Sequence, residues 1–213
     1  MDFEEFIGTY PRLWHMAETE NWSLIQQYGL LSTSALLDLF EVKGDERVAI
    51  ESAFRPEGVQ IAHPELGAAV IRDQRPMIND SVVERYLDVL SPAEWYRTLN
   101  SRVFFWVREK RLEKLLAAGL YRERPHVVLV LDTRALLTRH LDNVTLSPIN
   151  SGAIFPAGKT RRGPQTFQRF NDYPWAERCH HPEVVVELAV DRAVPDICDF
   201  LIEASERQAP PKV

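Results

Sequence analysis

Apolar residues recur at helical spacing in several segments of the chain. The pattern predicts a helix over residues 22–28 that ends at Gly29, because glycine readily adopts the backbone conformation that terminates helices. A second helix is predicted over 34–41, with Ser34 as its N-cap. Residues 109–118 place leucines on one helical face and predict a third.

The start of a further helix is marked by polar residues. Ser91 can accept a hydrogen bond from the first turn, and Pro92 suits a first helical position. Glu94 completes a capping box. The spacing then directs Trp95 and Leu99 inward.

Other segments are short apolar runs typical of buried strands. They lie at residues 13–17, 70–72, 103–107, 127–131 and 183–190. Helices and strands follow neither strict alternation nor an all-β order. The sequence therefore predicts the α+β class.

One domain is predicted over residues 1–207, with a candidate helical insertion at 79–118 and a loose tail at 208–213. Residues 151–173 are rich in glycine and proline and predict a long loop, which includes the basic run Lys159–Arg162. Long loops inside compact domains are often functional.

Composition narrows the class of protein. The chain has 213 residues, of which 45% are hydrophobic and 26% charged, values typical of a globular domain rather than a disordered or fibrous one. The net charge of -6 argues against general binding to polyanions, while leaving room for a local basic patch.

The two cysteines are too few for a disulfide scaffold. Because the sequence shows no signal peptide and no membrane span, a cytoplasmic location is expected. The adjacent residues Cys179, His180 and His181 carry side chains of the metal-binding type. In an extended segment their side chains point alternately, so they rarely share one ion. We expect no metal site.

His15 is the first candidate for a ligand-binding residue. It is predicted at the end of a short strand beside the start of the helix over 22–28. Free N–H groups in the first turn of a helix can bind a polar ligand next to such a histidine. The structural alternative is a buried histidine bonded to the backbone, which residue type alone favours.

Glu183 and Glu187 are the second candidates. Four residues apart in a strand, they are predicted on the same face. A carboxylate in a mostly buried strand is costly unless it is paired or functional. For each residue the alternative is a salt-bridged position at the strand edge.

Two turns are weaker candidates. Arg72 and Arg75 surround a polar turn and could grip a phosphate, although a solvated ion pair is the more common arrangement. Asn150, Ser151 and Gly152 form a second polar turn, for which a structural role is the simpler interpretation.

The opening of the chain resembles the ADP-ribosyltransferase superfamily, and is similar to the DarT-type DNA ADP-ribosyltransferases and the NAD-dependent RNA 2′-phosphotransferases. The matching residues are His15, Asn21, Ile25, Gly29, Leu30 and Ser32. Residues 187–195 look like the closing strand of DarT-like enzymes, and 72–77 resemble an Arg-x-Pro-Met stretch of that group. The chain looks like a bacterial relative rather than a close DarT.

This resemblance implies a mostly antiparallel sheet with flanking helices, and NAD as a substrate. It assigns His15 to the adenosine-side ribose, and Ser32 and Arg72 to ribose or diphosphate. Phe105 or Trp106 would stack on nicotinamide, where the family often has Tyr, Ser or Thr.

The resemblance also makes Glu187 the catalytic carboxylate, with Glu183 as the substitute candidate. The Lys159–Arg162 loop would meet an acceptor, either nucleic acid or protein. The alternative is an inactive nucleotide-binding or partner-binding module with the same fold.

Overall fold

The structure is a computed structural model that describes residues 1–154 and 160–209. The α-helices in this part are α1 Phe3–Thr9, α2 Trp22–Tyr28, α3 Thr33–Leu39, α4 Gly44–Glu51, α5 Asp80–Arg85, α6 Pro92–Asn100, α7 Glu109–Leu116, α8 Thr133–His140 and α9 Trp175–Arg178. The strands are β1 Arg12–Glu18, β2 Leu30–Leu31, β3 Val59–His63, β4 Gly67–Ile71, β5 Arg102–Trp106, β6 His126–Asp132, β7 Val144–Ser147, β8 Gln168–Arg169, β9 Glu187–Asp191, β10 Ala193–Val194 and β11 Leu201–Arg207. Short 3₁₀ turns lie at Thr19–Asn21, Arg75–Met77, Leu141–Asn143, Pro164–Thr166, Phe170–Asp172 and Ile197–Phe200.

The main sheet has seven strands in the order β11-β6-β1-β5-β9-β7-β8, and all the neighbouring pairs are antiparallel. β3 pairs with β4, and β10 with β2, in two small two-stranded sheets. The predicted α+β class and the mostly antiparallel sheet are therefore confirmed.

The apolar run of β6 is explained by burial on both faces of the sheet. Leu129 and Leu131 pack into one hydrophobic cluster, and Val128 and Val130 into another. The second cluster is covered by α7, whose Leu112 is fully buried. Burying one such leucine stabilises the fold by about 1.5–3 kcal/mol, so α7 is firmly held against the sheet.

The predicted helix over 22–28 is confirmed as α2, and the capping box of α6 is formed by Ser91 and Glu94. The predicted N-cap at Ser34 is wrong. Ser32 is the cap of α3, because its backbone is still extended after β2 and its Oγ accepts a hydrogen bond from the backbone N–H of Ala35 at 3.2 Å.

The strand predicted over 183–190 begins only at Glu187. Before it, the carbonyl of Val184 accepts hydrogen bonds from the side chains Tyr173 Oη and Arg178 Nε rather than from a neighbouring strand, and the N–H of Val186 donates to Ser147 of β7. The prediction that Glu183 and Glu187 share one strand face is therefore wrong.

Residues 79–118 include helices α5, α6 and α7, but also β5, a central strand of the main sheet, so the segment is not helical throughout. Residues 155–159 of the predicted loop and 210–213 of the predicted tail lie outside the described residues. Within the described ranges, no helix has the length and apolar character needed to cross a membrane.

Candidate functional site

A cavity of about 860 Å³ opens at a gap in the main sheet. β1 pairs with β6 along its whole length, and β5 does the same with β9. β1 and β5 are paired only where Trp14 lies opposite Trp106. Beyond that pair the two strands separate, and residues from both line the cavity.

Most of the residues proposed from sequence lie around this cavity. Those that line it are His15, Ser32, Arg72, Phe105, Trp106 and Glu187, together with the predicted turn at Asn150, Ser151 and Gly152. Glu183 does not, and lines a neighbouring cavity of about 350 Å³ instead. Arg75 lines neither cavity. The fold thus brings together residues that are distant in sequence, which local patterns cannot do.

His15 lies in the middle of β1, not at the strand end that the sequence suggests. Its Nδ1 is 2.8 Å from the carbonyl oxygen of Phe104, on the facing strand. Burial lowers the pKa of His15 to about 4, so the ring is neutral at pH 7. A neutral ring that donates from Nδ1 keeps a lone pair on Nε2, which makes this nitrogen a hydrogen-bond acceptor.

Glu187 is the first residue of β9 and is only 4% exposed. Its Oε2 accepts hydrogen bonds from the backbone N–H of Ser151 at 3.1 Å and from the Ser151 hydroxyl at 2.6 Å. Burial raises the pKa of Glu187 to about 7, against the opposing effect of these bonds. The carboxyl group is therefore held at one oxygen and changes charge near neutral pH.

Glu187 belongs to a row of side chains across the sheet. Trp106 lies opposite Glu187 in one strand pair and opposite Trp14 in the next, so all three point to the same face. His15 and Phe105 adjoin the two tryptophans along the chain and point to the other face. Both rows line the cavity, so it reaches through the gap between the strands.

Arg72 is fixed at the cavity wall. Its Nε donates to Oε1 of Glu18 at 2.7 Å, and its NH2 group donates to the carbonyl oxygen of Met16 at 2.8 Å. Glu18 is buried, and Arg124 and His126 lie within 3.6 Å of its other oxygen. Ser32 is likewise engaged, as the N-cap of α3, so both residues have structural bonds besides their place in the cavity.

Several residues that line the cavity were not predicted from the sequence. They are Arg55, Arg102, Arg111, Lys114 and Tyr121. The guanidinium of Arg55 is buried and bonds to the carbonyl oxygens of Arg72 and Ile50. With Arg72, five cations line the cavity against three carboxylates (Glu18, Asp73 and Glu187), on a chain whose net charge is -6. Two of these cations, Arg102 and Arg111, form ion pairs with Asp191 and Glu183, which lie outside the lining, so the excess of positive charge is small.

Other sequence candidates have structural partners. The side-chain amide of Asn21 bonds to both the N–H and the carbonyl of Val70, each at 2.8 Å, and so ties the segment before α2 to β4. Glu183 forms a bidentate ion pair with Arg111, whose hydrogen bonds lower the pKa of Glu183. In the described part of the chain, no cluster of three His, Cys, Asp or Glu side chains is arranged to hold a metal ion.

Comparison with known proteins places the chain in a family. No curated protein matches it. A family model described as a family of unknown function (DUF7002) matches residues 11–201, a range that includes β1, β5 and β9 and hence the cavity. Because that match covers most of the 213 residues, the chain belongs to the DUF7002 family, whose function is unknown.

Proposed function

We propose that this chain binds NAD as a substrate in the large cavity, cleaves the bond between nicotinamide and ribose, and transfers ADP-ribose to an acceptor. One observation carries the proposal. A neutral histidine, an aromatic surface and a buried carboxyl group, each matching the ADP-ribosyltransferase resemblance, line a single cavity. Its volume of about 860 Å³ lies within the range typical of ligand sites.

The roles follow from the chemistry of each side chain. Nε2 of His15 accepts a hydrogen bond from a ribose hydroxyl. Phe105 or Trp106 offers a flat face for the nicotinamide ring. Arg72 supplies positive charge toward ribose or diphosphate, and the Ser32 hydroxyl is the remaining polar contact assigned to that part of the ligand.

The reaction separates charge in a way that Glu187 can stabilise. The electron pair of the broken bond leaves with nicotinamide, which becomes neutral, and the ribose acquires oxocarbenium character. A carboxylate fixed beside this centre stabilises the positive charge without reorganisation. The acceptor then attacks the anomeric carbon and loses a proton, for which ionised Glu187 is the base. A 2′-phosphate of RNA is a related acceptor, and its removal needs a second step that breaks its P–O bond to the RNA.

A second candidate function is a nucleotide-binding or partner-binding module without turnover. The observation that favours it is the absence of a hydroxyl side chain on the stretch Phe104–Trp106, where the family often has Tyr, Ser or Thr. The engagement of Arg72 by Glu18 also reduces the guanidinium surface left for a ligand.

The acceptor is either a nucleic acid or a protein in this proposal. Of the basic run that the sequence assigns to it, Lys159 lies outside the described residues. Arg161 pairs with Asp88, and Arg162 is buried. The run is therefore only partly available to an acceptor.

Binding is tested by calorimetric titration of NAD into the wild type and His15→Ala. We expect binding to the wild type and its loss in the variant, because Nε2 of His15 is removed from the cavity. His180→Ala is the matched control, since this exposed histidine lines neither cavity. No binding to the wild type contradicts both the enzyme and the NAD-binding module.

Turnover is tested by nicotinamide release from NAD. We expect Glu187→Gln to abolish release while NAD still binds, and Glu183→Gln to retain it. Binding without release by the wild type favours the module. Retained release in both variants contradicts the assigned chemistry.

A further inference from the structure

The smaller cavity is basic. Its charged lining consists of Arg111, Arg162, Arg178 and Glu183, with His181 beside them. Three guanidinium groups face one carboxylate, in a chain that carries more acidic than basic residues. The cavity adjoins the larger one, since Arg111 and Asn150 line both.

Among the described residues, the carboxylate that acts on Arg162 is Glu187, and it lies beyond ion-pair distance. Arg162 is 5% exposed, and its NH groups donate to the carbonyl oxygens of Thr160 and Ala153. Its Nε lacks a hydrogen-bond partner among the described residues. The nearby residues 155–159 contain no Asp or Glu in the sequence. Burial of this cation is costly, Glu187 offsets the cost only from a distance, and an anion in the cavity would offset it further.

Arg111 shows how an oxyanion fits this cavity. Its Nε donates to Oε1 of Glu183 at 3.1 Å, and its NH2 group donates to Oε2. This fork-to-fork geometry is the one in which guanidinium binds either carboxylate or phosphate. Both side chains are partly exposed, so water can reach the two charged groups when the pair separates.

We propose that the smaller cavity is a binding site for a phosphate group, and that the Glu183 carboxylate acts as an internal substitute for it on Arg111. A phosphate that enters the cavity displaces Glu183 from Arg111 and comes within reach of Arg178. Its charge also compensates Arg162. The phosphate site requires neither NAD nor turnover, so a failure of the proposed enzyme activity would leave this proposal unaffected.

The test is calorimetric titration of inorganic phosphate into the wild type, Glu183→Gln and Arg178→Gln. We expect Glu183→Gln to bind phosphate about tenfold more tightly, because a competing carboxylate is removed. We expect Arg178→Gln to bind more weakly than the wild type, and Tyr173→Phe, which removes the other side-chain bond to the Val184 carbonyl, to bind as the wild type does. Glu113→Gln and Arg75→Gln are charge-matched controls at exposed positions that line neither cavity, and both should bind as the wild type does.

Several outcomes of this titration would overturn the proposal. Phosphate binding that is unchanged by both cavity variants would show a site elsewhere, such as the larger cavity, and would overturn the proposal. Absence of binding to the wild type and to Glu183→Gln would overturn it as well. If NAD binds in the larger cavity, loss of phosphate binding when NAD is added would place the phosphate there and would overturn the proposal.

Discussion

Replacing Glu187 by Gln tests the electrostatics of the cavity without any assumption about its ligand. The side chain is 4% exposed, and burial raises its pKa from 4.5 to about 7. Above pH 7 the native state must therefore hold a buried charge that the unfolded state holds in water. The difference in pKa corresponds to about 3 kcal/mol of lost stability.

The sign of the pH dependence follows from proton binding. Between the two pKa values the native state holds the proton and the unfolded state does not, so stability falls as pH rises through this window. Gln cannot ionise, and it retains an oxygen that can accept the Ser151 bonds. We expect Glu187→Gln to stabilise the protein by about 3 kcal/mol at about pH 8 and by about 1 kcal/mol at about pH 5.

The assay is urea unfolding of the wild type and the variant at both pH values, with a constant m-value as the condition for comparison. The contributions of other groups with shifted pKa values, such as His15, are present in both proteins and cancel in the difference between their free energies of unfolding. Glu113→Gln is the exposed control. A stability difference that is the same at both pH values, or larger at the lower one, would refute the reasoning.

Two further predictions concern the turns that shape the cavity. Gly29→Ala should lower the free energy of unfolding in urea by more than about 2 kcal/mol, because Gly29 has a positive φ and an added Cβ would lie 2.3 Å from Pro195 Cα. The control is Gly8→Ala, since Gly8 lies on α1 with open space around it. This variant should leave the free energy of unfolding unchanged or raise it. Ser151→Ala removes one of the two hydrogen bonds to Glu187 and should raise the pKa of that carboxyl by about one further unit in an NMR titration of the side chain. An unchanged pKa would show that the hydroxyl does not stabilise the ionised form.

Local patterns predicted much of the secondary structure because the responsible interactions are themselves local. Ser91 and Glu94 cap α6 through residues three positions apart, and the apolar run of β6 reflects burial on two faces. Where a competing interaction was distant, prediction failed. Glu183 was predicted in a strand, but next to it the Val184 carbonyl bonds to the side chains of Tyr173 and Arg178, which are distant in the local pattern.

The candidate site was predictable only in part. His15, Glu187 and the aromatic residues could be proposed because they match family motifs. The gap between β1 and β5 left no trace in the sequence, since it depends on which strands pair and over what length. Arg55 and Arg111 reach the cavity from segments whose local composition resembles ordinary helix and loop, so no local signal marks them.

The strand order has a consequence for how the cavity comes into existence. β1 is made first but lies in the middle of the sheet, next to β6 and β5, and Glu187 arrives on β9 near the other end of the chain. Contacts of such high sequence separation form late and slow folding. During synthesis His15 and Glu187 stay apart until most of the chain has emerged. The nascent chain therefore contains several cavity-lining residues long before the cavity itself can form.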